Sequence, residues 1–147
     1  MFKRKNSKGV TLIELVIILA LLGILAGITV PSMDWSNYYL RTQARQLCAE
    51  IRNVRVLRMT EGVDYKVSLN RDFYQINNGI KQVKKVNMLS NYKIYYNNQE
   101  ITFNYNSGAP DKGDTITIKN VKNGRSMEIT IVPASGRVLL KDEIFLP

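Results

Sequence analysis

A long apolar run near the N-terminus constrains this chain more than any other feature. From Leu15 to Met33 the sequence contains no charged residue. At about 1.5 Å per helical residue, these nineteen positions reach about 28 Å, roughly the thickness of a bilayer core. The run therefore predicts a helix that is able to span a membrane.

Glu14 lies directly before this run and needs a physical explanation. A carboxylate inside hydrocarbon costs about 2.5 kcal/mol or more unless it is paired or lies at the surface. One interpretation is a plain membrane anchor with Glu14 near the lipid headgroups. A second is a secretory signal peptide, although such signals usually have a shorter apolar region and end in small residues at the cleavage site.

The order of residues around Glu14 supports a more specific interpretation. The basic stretch MFKRKNSK precedes Gly9, and VTLIE at positions 10–14 leads into the apolar run. This order resembles the class III leader of type IV pilins and type II secretion pseudopilins. The resemblance implies that a prepilin peptidase cleaves between Gly9 and Val10 and methylates the new amino group of Val10.

The resemblance also implies a role for Glu14 in assembly. Its carboxylate would pair with the N-terminal amine of a neighbouring subunit. Two charges that are costly apart in lipid attract strongly at low dielectric, and their pairing fixes the axial register between subunits. The implied partners are the peptidase, other pilin or pseudopilin subunits, an assembly platform membrane protein and, before assembly, membrane lipid.

Three helix-perturbing residues lie in the apolar run. Gly23 and Gly27 form a GxxxG spacing that allows another helix to approach closely. Pro31 follows Gly27 by four positions, where its ring clashes with a helix carbonyl, so we expect a kink. In the pilin family the stretch equivalent to residues 23–31 can lose helical structure when the subunit enters a filament; the alternative is an anchor that is only bent.

The charge distribution predicts the orientation of the chain. The net charge is +9, but Lys3, Arg4, Lys5 and Lys8 belong to the leader, and removing them leaves +5. Basic residues before a membrane span stay on the cytoplasmic side. We therefore expect a single pass through the cytoplasmic membrane with the C-terminal part outside, and later an extracellular or periplasmic filament.

The composition limits the chemistry of the chain. Cys48 is the only cysteine and there is no histidine, so an intrachain disulfide and a Cys/His zinc site are excluded. Asp111 and Asp114 hint at a calcium loop, but the EF-hand spacing and its closing glutamate are missing. Neither a phosphate-binding loop nor a nucleophile with an assignable base is present. We predict no enzyme activity, no cofactor and no metal site.

An amphipathic helix is predicted from about Asn37 to Glu61, ended by Gly62. Its apolar stripe consists of Leu40, Ala44, Leu47, Ile51 and Val54. A second stripe, called here the arginine stripe, consists of Arg41, Arg45, Arg52 and Arg55. Arginines aligned in this way would suit phosphates, as in DNA, or an acidic partner, but they are more often a solvated flank whose stems cover the core.

After Gly62 the apolar residues alternate with polar ones, which predicts short antiparallel strands. The last three, through Ile116, Ile129 and Val138, predict a meander with one apolar face, which the apolar stripe would cover. A strand is also expected through Ile101, Phe103 and Tyr105. The tyrosines of this half suit strands, although they would also suit a base-stacking or saccharide-binding surface.

Together these patterns predict an α+β fold, with a long N-terminal helix packed on a small antiparallel β-sheet head. The expected divisions are a cleaved leader (1–9), a transmembrane or assembly helix (10–33), the amphipathic half of the helix (34–61) and the β head (62–147). The head stretches FNYNSGAPDKGDTITIKN and ASGRV resemble H-type minor pseudopilins and the Gram-positive competence minor pilin.

That resemblance implies a minor subunit of a type IV pilus, competence pilus or type II secretion pseudopilus. The alternatives are a DNA-binding minor pilin and a membrane-anchored exported domain that forms no filament.

Overall fold

The computed structural model describes residues 11–29 and 35–146, and the chain divides into two compact units, of which the second begins at Trp35. In the first unit, helix α1 spans Leu12–Thr29. Every described side chain from Thr11 to Gly27 is exposed. Over the part of the chain that the structure describes, no helix meets the length and apolarity expected of a membrane span.

The second unit begins with helix α2, Ser36–Glu61, whose apolar stripe is buried as predicted. Gly62 ends this helix in the left-handed conformation, with φ of 65°, and its amide donates to the Arg58 carbonyl at 3.2 Å. Glycine adopts this conformation without the steric penalty that a Cβ imposes. The predicted helix and its terminating glycine are therefore confirmed.

In residues 62–146, eight antiparallel strands follow α2 and form two four-stranded sheets. The strands are β1 (Tyr65–Leu69), β2 (Phe73–Asn78), β3 (Lys81–Asn87), β4 (Tyr92–Tyr95), β5 (Glu100–Ile101), β6 (Asp114–Asn120), β7 (Ser126–Ile131) and β8 (Val138–Phe145). Their orders are β3-β2-β1-β5 and β4-β6-β7-β8. The predicted three-strand meander is present as β6, β7 and β8, and β4 extends it.

The prediction of a strand through Tyr105 is wrong. β5 ends at Ile101, Phe103 makes only an isolated bridge with Pro110, and Tyr105 lies exposed in a turn. The chain folds back because the Asn104 amide donates to the Ala109 carbonyl at 2.7 Å. Local side-chain and backbone hydrogen bonds of asparagine thus compete with strand pairing here.

One helix covers both sheets. The side of α2 that carries the apolar stripe packs against β1 of the first sheet and against β6, β7 and β8 of the second. Cys48 lies in this core, where burial raises the pKa of its thiol despite the opposing charge of Arg52. The head is therefore held together by packing around α2, without a disulfide.

Candidate functional site

The first turn of α1 holds Glu14 in a local hydrogen-bonded ring. The Glu14 amide donates to the Thr11 hydroxyl at 3.4 Å, and the Thr11 amide donates to Glu14 Oε2 at 3.3 Å. This reciprocal arrangement is a capping box, in which each side chain accepts from an otherwise unpaired amide. The carboxylate also lies at the positive end of the helix dipole, which favours its charge.

Sequence reasoning missed this cap, although the spacing Thr-x-x-Glu before an apolar helix is its usual signal. The ring changes the explanation of the acid. Part of the cost of its charge is offset within its own subunit, while Glu14 Oε1 accepts no hydrogen bond among the described residues.

The rest of α1 presents an apolar surface whose described side chains are exposed. Leu15, Leu19 and Leu22 are each more than half exposed, and a Cβ built on Gly23 or Gly27 would meet no atom within 4 Å. The glycine pair thus lies on an open face of the helix. The predicted cleavage site at Gly9 and Val10 and the predicted kink at Pro31 lie outside the described residues.

The arginine stripe contacts the head, in two groups. At the N-terminal end of α2, Arg41 and Arg45 both reach the Asp142 carboxylate on β8, at 3.0 and 3.3 Å. All three side chains are at least 40% exposed. Exposed pairs of this kind contribute about 0–1 kcal/mol, so these contacts add little to the stability of the fold.

The second group binds main-chain oxygens. Arg52 donates two hydrogen bonds to the Val138 carbonyl, at 2.8 and 3.1 Å. Arg55 donates to the carbonyls of Gly108, at 2.8 Å, and Ser135, at 3.0 Å, so it joins two loops that are distant in sequence. Further along the helix, Arg58 donates to the Phe103 carbonyl and pairs with Asp64.

The two loops held by Arg55 approach each other closely at their glycines. A Cβ on Gly136 would lie 1.9 Å from the Gly108 carbonyl oxygen, and Gly136 has φ of 64°. Any other residue at Gly136 would force the loops apart. The close fit places both loop carbonyls within reach of one guanidinium group.

A groove lies beside these loops and has a cationic rim. Its volume is about 350 Å³, and we call it the arginine groove. It is lined by Arg52, Arg55, Val56, Arg137, Val138 and Leu139. The Arg137 guanidinium makes no ion pair among the described residues, whereas Arg52 and Arg55 are already bound to carbonyls. Arg41 and Arg45 do not line this groove.

The two aspartates considered for calcium have protein partners. The buried Asp114 carboxylate accepts from the amides of Asn98, at 2.9 Å, and Thr115, at 2.7 Å. Asp111 accepts from the Thr102 hydroxyl. In the described ranges, no three acidic or cysteine side chains converge as a metal site would require. These carboxylates fix loops around β6.

Comparisons with known proteins agree with this arrangement of helix and head. Residues 4–30 match the model of the prokaryotic N-terminal methylation motif. A fimbrial protein of Pseudomonas aeruginosa is 28% identical over 144 residues, which cover 90% of this chain and 92% of that protein. The chain is thus similar to proteins of the type IV pilin family, as its leader sequence predicted.

Solved structures of minor pilins and pseudopilins have a similar fold. The P. aeruginosa type IV minor pilin FimU superposes with a TM-score of 0.60 at 14% identity, covering 73% of this chain and 91% of FimU. The minor pseudopilin EpsH of the Vibrio cholerae type 2 secretion system gives a TM-score of 0.57 at 11% identity, covering 69% and 95%. At these identities the similarity is one of fold, and it confirms the predicted α+β architecture.

Proposed function

We propose that this pilin-family chain is a structural subunit of a type IV pilus, competence pilus or type II secretion pseudopilus. The single observation that carries the proposal is the contrast within the chain: an apolar helix with every described side chain exposed, joined to a head that has its own core. A helix that is apolar on every side needs partners to surround it. Lipid before assembly and other subunits after it would be those partners.

Membrane storage is supported by the apolar run. Over its described residues α1 does not meet the length and apolarity expected of a membrane span, but the uncharged stretch of sequence continues beyond α1 to Met33. The nineteen positions from Leu15 to Met33 would reach about 28 Å as a helix. The basic residues before Gly9 would remain in the cytoplasm, and the head would lie outside. An assembly platform membrane protein would then draw the subunit from the bilayer.

Processing is tested first. Prepilin peptidase is expected to cut between Gly9 and Val10 and to leave a methylated amine on Val10. Mass spectrometry of the membrane-extracted protein, from cells with and without the peptidase, measures both changes. A chain that keeps Met1 in cells containing the peptidase would contradict the proposal.

Assembly is tested by separating the charge of Glu14 from its capping role. Glu14→Gln keeps an N3 side chain that is able to complete the capping box but removes the charge. Thr11→Ala removes the hydroxyl half of the ring and keeps the charge. If Glu14 pairs with a neighbour's amine, Glu14→Gln is inserted and cleaved but is lost from sheared filaments, whereas Thr11→Ala is incorporated. Equal incorporation of both variants would remove the pairing argument.

The chain is proposed not to be an enzyme. Its one thiol, Cys48, is buried, with a raised pKa that disfavours the reactive thiolate. The fimbrial protein, minor pilin and minor pseudopilin to which it is similar are named as fibre or secretion-system components. The chain would act as the substrate of a peptidase.

DNA binding is a second candidate, favoured by one observation. The arginine groove brings together Arg52, Arg55 and Arg137, and guanidinium groups bind phosphates well. If DNA lies there, Arg137→Gln should reduce both the affinity and the slope of log affinity against log salt. Arg41→Gln is the matched control, since Arg41 is bound to Asp142 outside the groove. Equal effects of the two variants would end this candidate.

A further inference from the structure

A partly exposed aromatic surface lies at the start of α2. It consists of Trp35, Tyr38, Tyr39 and Leu89, which are 45%, 59%, 45% and 48% exposed, and we call it the aromatic patch. The first three residues are spaced i, i+3 and i+4, so they share one side of the helix. Their rings contact edge to face, with centroids 6.1 Å apart for Trp35 and Tyr38 and 5.7 Å for Tyr38 and Tyr39.

The patch borders an open cavity of about 420 Å³ with a mixed lining. Trp35, Tyr39 and Leu89 provide its apolar part, and Asn91 and Lys122 provide polar groups. The Lys122 side chain is exposed and makes no ion pair within the described part of the chain. The cavity therefore offers aromatic rings beside an uncommitted positive charge.

Hydrogen bonds between three segments fix this surface. The Leu89 amide donates to the Gln43 side-chain oxygen at 3.0 Å, which holds the β3–β4 loop against α2. The Asn123 amide group donates to the Ser36 hydroxyl at 3.0 Å, which holds the β6–β7 turn at the same end of the helix. The loop and the turn beside the patch are therefore held to α2 by hydrogen bonds.

The residue types match one environment in particular. Tryptophan and tyrosine have an apolar ring with a polar edge, and both are enriched where membrane hydrocarbon meets water. Lysine at that level is attracted to lipid phosphate. In the sequence, only five residues separate the last residue of α1 from Trp35. If α1 lies in the bilayer, so short a connection keeps Trp35 near the membrane surface.

We propose that the aromatic patch lies in the headgroup layer of the bilayer while the subunit is stored there, with Lys122 at the lipid phosphates. The inference rests on the proposed membrane storage and deepens it. It assigns a lipid contact to the aromatic patch at the start of α2, in addition to the anchoring by α1. Release from the membrane would then require two contacts to be broken.

Trp35 allows a direct test because it is the only tryptophan of the chain. The full chain is reconstituted in vesicles of phosphatidylethanolamine and phosphatidylglycerol, and Trp35 emission is measured. We expect emission at shorter wavelength than in water, severalfold weaker quenching by iodide than for a solvent-exposed tryptophan, and stronger quenching by lipids brominated near the headgroup than near the chain end.

A matched variant moves the probe away from the patch. In the double variant Trp35→Phe/Tyr105→Trp the new tryptophan occupies a position that is 57% exposed in the loop after β5. Its emission should remain that of a tryptophan in water, with full quenching by iodide and none by brominated lipid. If Trp35 is as accessible to iodide as this reporter and is not quenched by brominated lipid, the patch does not touch lipid and the inference is wrong.

The same samples separate this inference from the proposed storage. Flotation of the vesicles reports whether the chain is anchored at all, so a chain that fails to float contradicts the storage proposal itself. A chain that floats with Trp35 accessible to iodide contradicts only the patch. Shielding that disappears on dilution with more lipid would mean that a second copy covers the patch, which would also overturn the inference.

Lys122→Glu tests the charged part of the site. In vesicles with phosphatidylglycerol, this variant should make Trp35 more accessible to iodide, because a carboxylate is repelled by anionic lipid. In vesicles of phosphatidylcholine alone the change should be much smaller. An unchanged accessibility of Trp35 in the vesicles with phosphatidylglycerol would exclude contact between Lys122 and the phosphate of anionic lipid.

Discussion

The two described helices, α1 and α2, both contain many apolar residues, but these residues are exposed in α1 and buried along one side of α2. α2 is amphipathic, and its single apolar stripe is buried by the two sheets of the head. α1 is apolar on every side, and its described side chains are all exposed. One packed layer is enough to bury a single apolar stripe, whereas a helix that is apolar on every side has to be surrounded by other molecules or by lipid. α2 therefore builds the head, and α1 is available for lipid or for other subunits.

The largest effect should come from removing buried volume in α2. Leu47 is fully buried, so Leu47→Ala should lower the free energy of unfolding of the head by about 2–5 kcal/mol. Leu19→Ala in α1, at a side chain that is 59% exposed, should change it by less than about 0.5 kcal/mol. Urea unfolding of the full chain in detergent, followed by circular dichroism, measures both. Similar losses would show that the helices are not distinct in this way.

A smaller loss is expected where α2 binds the loops. Arg55→Met should cost about 1.5–3 kcal/mol, because two loop carbonyls lose a charged donor. Arg45→Met removes only an exposed pair with Asp142 and should cost less than about 1 kcal/mol. The same urea titrations compare them. If Arg45→Met proves the costlier change, β8 depends on the exposed pair more than the loops depend on Arg55.

The cap of α1 should have a local effect. Thr11→Ala should destabilise the first turn of α1 by about 1 kcal/mol, while Thr11→Ser keeps the hydroxyl acceptor and should be nearly neutral. Amide hydrogen exchange of the full chain in detergent measures the protection of this turn. The head should be unaffected by either change. Undiminished protection in Thr11→Ala would exclude the capping box.

The smallest effect expected is a gain. The buried Tyr74 hydroxyl has no hydrogen-bond partner among the described residues, so Tyr74→Phe should stabilise the head by up to about 1 kcal/mol. Burial, with a smaller contribution from Glu50, raises the pKa of Tyr74 well above its usual range. The unfolded tyrosine therefore ionises first as the pH rises above about 10, and the native protein loses stability there.

The pH dependence sharpens this test. Below about pH 10 the difference between Tyr74→Phe and the native chain should be constant, and above it the advantage of the phenylalanine should grow. Tyr105→Phe is the control for removing an exposed hydroxyl, because Tyr105 is 57% exposed, and it should change the free energy of unfolding at neutral pH by less than about 0.5 kcal/mol. A Tyr74→Phe head that is less stable at neutral pH would indicate that the hydroxyl is satisfied by water.

Sequence alone predicted the parts of the fold that depend on local periodicity. The apolar stripe of α2, its glycine stop and the β6–β8 meander all repeat at the spacing that their structure requires. It did not predict that β4 joins β6 while β5 joins β1, because strand partners are chosen across the chain by packing. The lost strand at Tyr105 has a local cause, since the hydrogen bonds of Asn104 compete with pairing.

The candidate site divides in the same way. The sequence predicts Glu14 at the start of an apolar helix. The spacing of Thr11 and Glu14 is also the usual signal of a capping box, but the prediction did not include one. The groups that accept hydrogen bonds from the arginine stripe could not be predicted from the sequence. Arg55 is bound to carbonyls 53 and 80 residues away, and a main-chain oxygen has no signature in sequence.

Attachment through main-chain oxygens has a consequence for how the outer loops change over evolutionary time. Arg52 and Arg55 recognise peptide groups at Val138, Gly108 and Ser135, and these groups are the same whatever side chain accompanies them. Apart from the two close-packed glycines, neighbouring loop positions are free to diversify without loosening the head. Related subunits that share this helix would then be able to display different exterior surfaces on one conserved scaffold.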